Sequence, residues 1–252
     1  MTGILISGVN GRMGSMVAEV VSSRKDCFVC AGMDINTAKK QDFMVFAPGK
    51  YEGEADVIID ASFVDGTPAL LEYAIRRNLP LVIMTTGHND AQMALINEAA
   101  AKIPIFKSGN MSVGINILST LVKKTAEIIG ETFDIEIVEA HHNKKVDAPS
   151  GTALMLAKSA SEGLKEMPVY TYDRHLQKKA RDHEEIGIHS IRGGTIIGDH
   201  SVIFAGEDEV LTLSHSAGSR KMFAAGAVNA ALFLVQQKPG LYDMNNLIGG
   251  LL

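Results

Sequence analysis

Between Glu139 and Ala153 the chain reads Glu139-Ala140-His141-His142-Asn143-Lys144-Lys145-Val146-Asp147-Ala148-Pro149-Ser150-Gly151-Thr152-Ala153, a run rich in groups that move protons and hold anions. A histidine can give or take a proton close to neutral pH, and a lysine ammonium attracts a carboxylate. Pro149-Ser150-Gly151-Thr152 has the composition of a helix start, with Ser150 as a good N-cap. The backbone N–H groups of Gly151 and Thr152 would then lie at the positive end of that helix, a seat for a carboxylate. Together these residues suit a small anionic substrate that must receive both a hydride and a proton. Two plainer readings compete. A zinc site could draw on the histidines with Glu139 or Asp147, but adjacent strand residues face oppositely and the lysines oppose a cation. A solvated polar loop would explain the lysines alone, but not a capped helix start beside two histidines.

A second cluster is the turn Gly8-Val9-Asn10-Gly11-Arg12-Met13-Gly14, which follows the apolar run Ile4-Leu5-Ile6 directly. A pyrophosphate needs a tight turn, a backbone that it can approach closely, and helix N–H groups aimed at it. Asn10 stands where the common fingerprint has its middle glycine, and asparagine tolerates left-handed backbone geometry. Arg12 adds a cation. Asp34 lies 20 residues after Gly14, where a carboxylate accepts from the adenine ribose hydroxyls. The spacing therefore points to NADH or NADPH. Asp34 repels a 2′-phosphate, and the next residue is Ile35 instead of a neutralising arginine, with Lys39 and Lys40 near enough to compensate in part. NADH is expected to serve at least as well as NADPH.

These residues need a scaffold, and its outline is visible. Strand-like runs at Ile4–Ile6, Cys27–Met33, Asp56–Asp60, Leu81–Met84 and Ile103–Phe106 alternate with helical stretches at Arg12–Ser22, Thr67–Arg77 and Asp90–Lys102, the pattern of a parallel sheet covered on both faces. After about Val113 the pattern changes. A helix over Gly114–Ile129 leads to Phe133–Glu139, another helix follows Ser150, and three strand-like runs follow at Ile186–Arg192, Thr195–Phe204 and Glu209–Ser216. Short turns between them suggest an antiparallel or mixed sheet open on one face. A last, alanine-rich helix over Arg220–Gln236 must be buried. The expected fold is α/β: a Rossmann-like doubly wound parallel sheet with an inserted α+β domain. Residues 1–112 with 220–252 form the dinucleotide-binding domain, and residues 113–219 the inserted one. Cys27 and Cys30 fall three apart on a strand and so face oppositely, which favours two buried, unpaired thiols over a redox or zinc pair.

Composition sets the outer bounds. At 252 residues, 46% hydrophobic and 21% charged, the chain has ample core and no disordered character. A net charge of −5 argues against nucleic acid or anionic membrane as a partner, although it leaves room for a local basic site. The start lacks the basic flank of a signal peptide, and no apolar run approaches the roughly 18 residues of a membrane span, so the chain is expected to be cytoplasmic.

At residues 139–153 the chain resembles the dihydrodipicolinate reductase family, matching its signature Glu-Ala-His-His-x-x-Lys-x-Asp-Ala-Pro-Ser-Gly-Thr-Ala throughout. The resemblance extends to Gly8–Gly14, Thr85-Thr86-Gly87, Gly109–Gly114, Arg192-x-Gly194, Ser219-Arg220 and Gly240–Met244. It implies NAD(P)H-dependent reduction of 4-hydroxy-tetrahydrodipicolinate to tetrahydrodipicolinate with loss of water, in lysine and diaminopimelate biosynthesis. It implies His141 as proton donor or acceptor and Lys145 as a second catalytic proton donor. His142, Lys145, Gly151 and Thr152, with Ser150 at the helix start, would hold the carboxylates. Gly8, Val9, Asn10, Gly11, Arg12, Met13, Asp34, Met84, Thr85, Thr86, Ser108, Gly109, Asn110 and Met111 would line the cofactor site. No metal is implied, and the inserted domain would join a homotetramer through its sheet. Two positions depart from the family: Ile35 lacks the arginine of some members, and Met84 stands where a glycine often precedes the threonines. Two other functions stay open. A different two-domain dehydrogenase could act on a semialdehyde, but a phosphorylating semialdehyde dehydrogenase needs a cysteine nucleophile, for which Cys27 and Cys30 are poorly placed. A non-catalytic NAD(H)-sensing module would not need His141 and Lys145 beside a helix start.

Overall fold

The computed structural model describes residues 1–38, 41–175 and 177–249. The chain divides into two compact units, Met1–Val113 with Lys221–Leu252, and Gly114–Arg220. In chain order come β1 (Thr2–Ser7), α1 (Arg12–Ser22), β2 (Cys27–Met33), β3 (Val45–Phe46), β4 (Val57–Asp60), α2 (Thr67–Arg77), β5 (Leu81–Ile83), α3 (Asp90–Ala100) and β6 (Pro104–Lys107). Then follow α4 (Val113–Ile129), β7 (Asp134–His141), α5 (Gly151–Gly163), β8 (Val169–Thr171), β9 (Glu185–Arg192), β10 (Asp199–Ala205) and β11 (Val210–Ser216). The chain returns to the first unit for α6 (Lys221–Leu234), β12 (Gly240–Tyr242) and α7 (Met244–Gly249).

The first unit holds a parallel sheet in the order β12-β6-β5-β4-β1-β2-β3. Strand alternation divides its side chains between two apolar layers. Ile4, Ile6, Val57, Ile59, Val82 and Phe106 pack with Val17 and Val21 of α1 and with Ala227, Val228 and Leu234 of α6. Leu5, Ile58, Leu81, Ile83 and Ile105 pack on the other side with Leu70 and Ala74 of α2 and Ile96 of α3. Both faces are covered, which is why the strands read as unbroken apolar runs. The order reverses between β1 and β4, so crossovers diverge there and leave a crevice at the strands' carboxyl ends.

Cys27 is buried in the layer with α1 and α6, whereas Cys30 packs against the opposite layer and is only half-buried. The two thiols face oppositely as alternation requires and both are free, but burial holds for Cys27 alone. β2 carries one residue more than β1 between Ile4 and Leu5, and Cys30 is that residue.

In the second unit the sheet order is β11-β10-β7-β9-β8. β7 runs parallel to β9 and antiparallel to β10, so the sheet is mixed. Its inner face presents Ile135, Ile137, Ile186, Ile188, Val202 and Phe204 to Leu118 and Val122 of α4 and Leu156 and Ala157 of α5. The outer face carries a charged cluster, in which Glu136 accepts from Arg174, Arg181 and His189. The run expected over Thr195–Phe204 begins as a strand only at Asp199, because a turn at Gly193–Gly198 brings the chain back from β9. Three short strands (β3, β8 and β12) carry too few residues to show a period.

Candidate functional site

In the first unit, the turn after β1 is shaped by contacts that only glycine permits. Gly8 has φ +75°, and a Cβ there would lie 2.7 Å from the Cα of Ser62. A Cβ on Gly14 would lie 2.1 Å from the carbonyl oxygen of Gly8, so the turn and the first coil of α1 touch backbone to backbone. Gly11 is the N-cap of α1, and no side chain caps the helix. Arg12 is exposed at its first position. Asp34, just beyond β2, accepts from the Asn10 N–H at 2.9 Å through one oxygen and from the Asn36 N–H at 2.9 Å through the other. The Asn10 side chain donates to the Asn36 carbonyl at 2.6 Å and accepts from Gln41 at 2.8 Å. Asp34 thus braces the turn, and a carboxylate so used still has lone pairs for ligand hydroxyls. This arrangement fits a dinucleotide: an uncapped helix start, a backbone without side chains in the way, and an acid at the neighbouring strand end.

The other residues expected to line a cofactor follow neighbouring strands at the same edge. Met84, Thr85 and Thr86 come after β5, and Ser108–Met111 after β6. Thr85 donates its hydroxyl to Asp60 at 2.8 Å, and the other Asp60 oxygen accepts from the Ser62 hydroxyl at 2.6 Å. Ser108 donates to the Asn110 carbonyl at 2.9 Å, and the Asn110 side chain accepts from the Ser112 N–H at 2.9 Å. Val9 and Met111 are buried in the α1–α6 layer, so what they can offer at this edge is backbone. Ile35 is 84% exposed beside Asp34, while Lys39 and Lys40 lie outside the described residues.

The second unit gathers His141, His142, Lys145 and the start of α5 around the carboxyl end of β7. Glu139 is fully buried there. Arg192, at the end of β9, grips it with both terminal nitrogens, Nη1 to Oε2 at 2.8 Å and Nη2 to Oε1 at 2.7 Å. The Ser150 N–H donates to Oε1 at 3.1 Å, and His141 Nδ1 stands 2.6 Å from Oε2. Burial alone would raise the Glu139 pKa, but Arg192, His141, Ser190 and the Ser150 N–H hold it at about 2. Arg192 also donates to the carbonyls of Asp147 and Ile191.

Ser150 is the N-cap of α5, as its sequence context suggests: its hydroxyl accepts from the Ala153 N–H at 3.1 Å. It also meets Nε2 of His200 at 3.2 Å and is buried, so it fixes the start of α5 from behind. Gly151 and Thr152 occupy the first turn. Lys145 pairs with Asp147 at 2.9 Å and holds that carboxyl below its ordinary value. His200 is buried edge-on to His141, with ring centroids 5.2 Å apart. Burial first, then repulsion from His141, pushes His200 down to about 4. A Cβ on Gly198 would lie 3.0 Å from Nε2 of His141, so a glycine leaves room for that nitrogen. Glu139, Arg192, Gly198 and His200 were not assigned roles from sequence. The signal for Glu139 was available: Ile135, Ile137 and Glu139 share one face of β7, and an acid in an apolar register requires a cationic partner.

Comparison with known proteins places these features in context. The family described as dihydrodipicolinate reductase, N-terminus, matches residues 2–111, and that described as dihydrodipicolinate reductase, C-terminus, matches residues 114–248. The 4-hydroxy-tetrahydrodipicolinate reductase of Caldanaerobacter subterraneus subsp. tengcongensis is 49% identical over 249 residues, 98% of each chain. That of Clostridium novyi is 41% identical over 98% of each chain. Among solved structures, a dipicolinate-bound dihydrodipicolinate reductase from Paenisporosarcina sp. TG-14 aligns with a TM-score of 0.77 and 25% identity, covering 98% of this chain and 99% of that one.

Proposed function

The chain belongs to the dihydrodipicolinate reductase family, and on that premise we propose how its own residues carry the reaction. It is an NAD(P)H-dependent oxidoreductase that reduces 4-hydroxy-tetrahydrodipicolinate to tetrahydrodipicolinate in lysine and diaminopimelate biosynthesis. In the proposal, Gly8–Met13, Asp34, Met84–Thr86 and Ser108–Met111 hold the dinucleotide, whose reduced nicotinamide supplies the hydride when bound. His142, Lys145, Gly151 and Thr152 hold the substrate carboxylates, with Ser150 fixing the helix start. Anchoring a carboxylate at that start orients the ring, which lowers the entropic cost of reaction. His141 gives the proton that completes the reduction, and Lys145 is a second donor. The observation that carries this assignment is the contact of His141 with buried Glu139 beside the Ser150-capped helix.

NADH serves at least as well as NADPH in this reading, because Asp34 repels a 2′-phosphate and exposed Ile35 cannot offset it. The enzyme is a cytoplasmic homotetramer, joined through the outer face of the second unit's sheet, where Ile191 and Val210 are exposed. Among the described residues no helix is long and apolar enough to cross a membrane. The test is a coupled assay. Pyruvate and aspartate semialdehyde are condensed by the preceding synthase while NADH or NADPH oxidation is followed. Binding of NADH without its consumption would overturn the reading in favour of a sensor.

A further inference from the structure

We infer that Glu139, clamped by Arg192, is the positioning residue that fixes the tautomer of His141 and so makes Nε2 the nitrogen that exchanges the proton. This deepens the assignment of His141 proposed above and rests on it.

The argument begins with the strand. Alternation along β7 sends Glu139 to the same side as Ile135 and Ile137, where no water reaches it. Its two oxygens are met by two guanidinium nitrogens, the Ser150 N–H and His141 Nδ1, with the Ser190 hydroxyl close by. A guanidinium and a backbone N–H can only donate, so the two Arg192 contacts and the Ser150 contact all require an acceptor. Arg192 is held in this place by further donation to the Asp147 and Ile191 carbonyls. The carboxyl is therefore ionised and has no hydrogen to give. The hydrogen in its 2.6 Å contact with His141 must come from Nδ1.

Two consequences follow for the ring. Neutral His141 is the Nδ1–H tautomer, with its lone pair on Nε2. Protonated His141 carries its extra proton on Nε2, and giving it up restores the tautomer that Glu139 already holds, so no ring flip separates one turnover from the next. The surroundings suit this. Gly198 leaves space at Nε2, and His200 from β10 flanks the ring edge-on, with His215 of β11 paired beside His200. Glu139 and Arg192 are the charged groups facing His141 from β7 and β9.

The rival account is that Glu139 and Arg192 merely fasten β7 to β9, and the experiment separates the two. Glu139→Gln keeps the side chain's shape, but its amide can either donate or accept. The ring tautomer of His141 is read by ¹⁵N NMR, turnover by the coupled assay, and the anion seat by inhibition with pyridine-2,6-dicarboxylate. We expect the Nδ1–H form in the wild type, a mixture of tautomers in Glu139→Gln, and a turnover lower by about 10–10²-fold, the usual worth of a partner that orients a functional histidine. Inhibition should stay within about threefold, since the amide oxygen of the glutamine can still accept the Ser150 N–H that fixes the helix start. Because Glu139→Gln strands the Arg192 charge, Glu139→Gln/Arg192→Gln restores neutrality. Under the fastening account turnover recovers in this double variant; under the inference it stays low. Recovery to the wild-type rate, or an unchanged Nδ1–H tautomer in Glu139→Gln, would overturn it. Wild-type turnover in His141→Ala would overturn the role of His141 itself. A loss there with unchanged turnover in Glu139→Gln would sink the positioning role alone.

Discussion

The turn after β1 and the strand end of β7 are both suited to an anion, yet they are made of different material. The turn is backbone: Gly8 and Gly14 let main chain touch main chain, and even its acid, Asp34, is engaged by N–H groups. The strand end is side chain: a buried carboxylate, a guanidinium, two histidines and a capping hydroxyl, brought together across 53 residues in one case and 50 in another. A backbone site fails when volume is added to it. A side-chain site fails when charge or a proton position is changed, even at constant volume.

That contrast can be broken most sharply by chemistry. His141→Ala should lower turnover by roughly 10²–10⁴-fold, the usual worth of general acid–base catalysis, with NADH affinity near wild type by fluorescence titration. Lys145→Ala should raise the substrate KM and lower turnover together, each by about tenfold, because one group would both hold a carboxylate and donate a proton. Pyridine-2,6-dicarboxylate should compete with the substrate and not with NADH. Competition with NADH would put the anion seat in the wrong unit.

Next in size is a steric test of the backbone site. Gly14→Ala must push the Gly8 carbonyl aside, an overpacking that costs about 3 kcal/mol. It should weaken NADH binding while dicarboxylate inhibition survives. Equal loss of both would erase the distinction between the sites.

Acid should act on the second site in particular. His200 has a value of about 4 in the folded protein against an ordinary 6.5, so the fold favours its neutral form. Its contribution is complete above 6.5 and is lost as pH falls through 4, up to roughly 3 kcal/mol. The Glu139 contribution is complete above about 4.5 and fades towards 2. Hydrogen exchange between pH 7 and 4 should therefore show β7 and β10 losing protection before β1 and β4. His200→Asn should flatten that dependence, and an unchanged slope would assign the acid sensitivity elsewhere.

The smallest expected effect concerns cofactor choice. Ile35→Arg should lower the NADPH KM by about threefold to tenfold, through a charged, bidentate partner for the phosphate, and leave NADH nearly unaffected. In the wild type, NADPH use should weaken with salt more than NADH use, because any help from nearby lysines is screened beyond about 8–10 Å. A wild type that already prefers NADPH strongly, with no response to the substitution, would mean that other residues hold the phosphate.

The same contrast explains what was legible in the sequence. Gly8–Gly14 could be read because a backbone site is encoded locally, as spacing between a strand and a helix. The doubly wound order was readable because strands covered on both faces leave unbroken apolar runs. His141, Lys145 and the Ser150 cap were visible as residue types in one segment. Arg192 and His200 were not, since nothing within one segment says which distant side chain will meet Glu139 or Ser150. β3 and β12 escaped because two or three residues do not make a period. The strand expected from Thr195 failed for a related reason: Ile196 and Ile197 look like strand residues but sit in the turn that brings β10 beside β7.

The first unit is assembled from both ends of the chain, and this gives its formation an order in time. While residues 1–113 are being synthesised, Val82 and Phe106 have no α6 to cover them, because that helix is not made until residues 221–234. Strand β12, the sheet's edge beside β6, comes later still. The second unit is one continuous stretch and needs nothing from either end to close its own core. Chains halted before residue 221 should accordingly show a protease-resistant middle and a digestible beginning, and both should resist once α6 and β12 have emerged. The middle of the chain would thus be folded while the parallel sheet of the first unit is still half-covered on the face that α1 shares with α6.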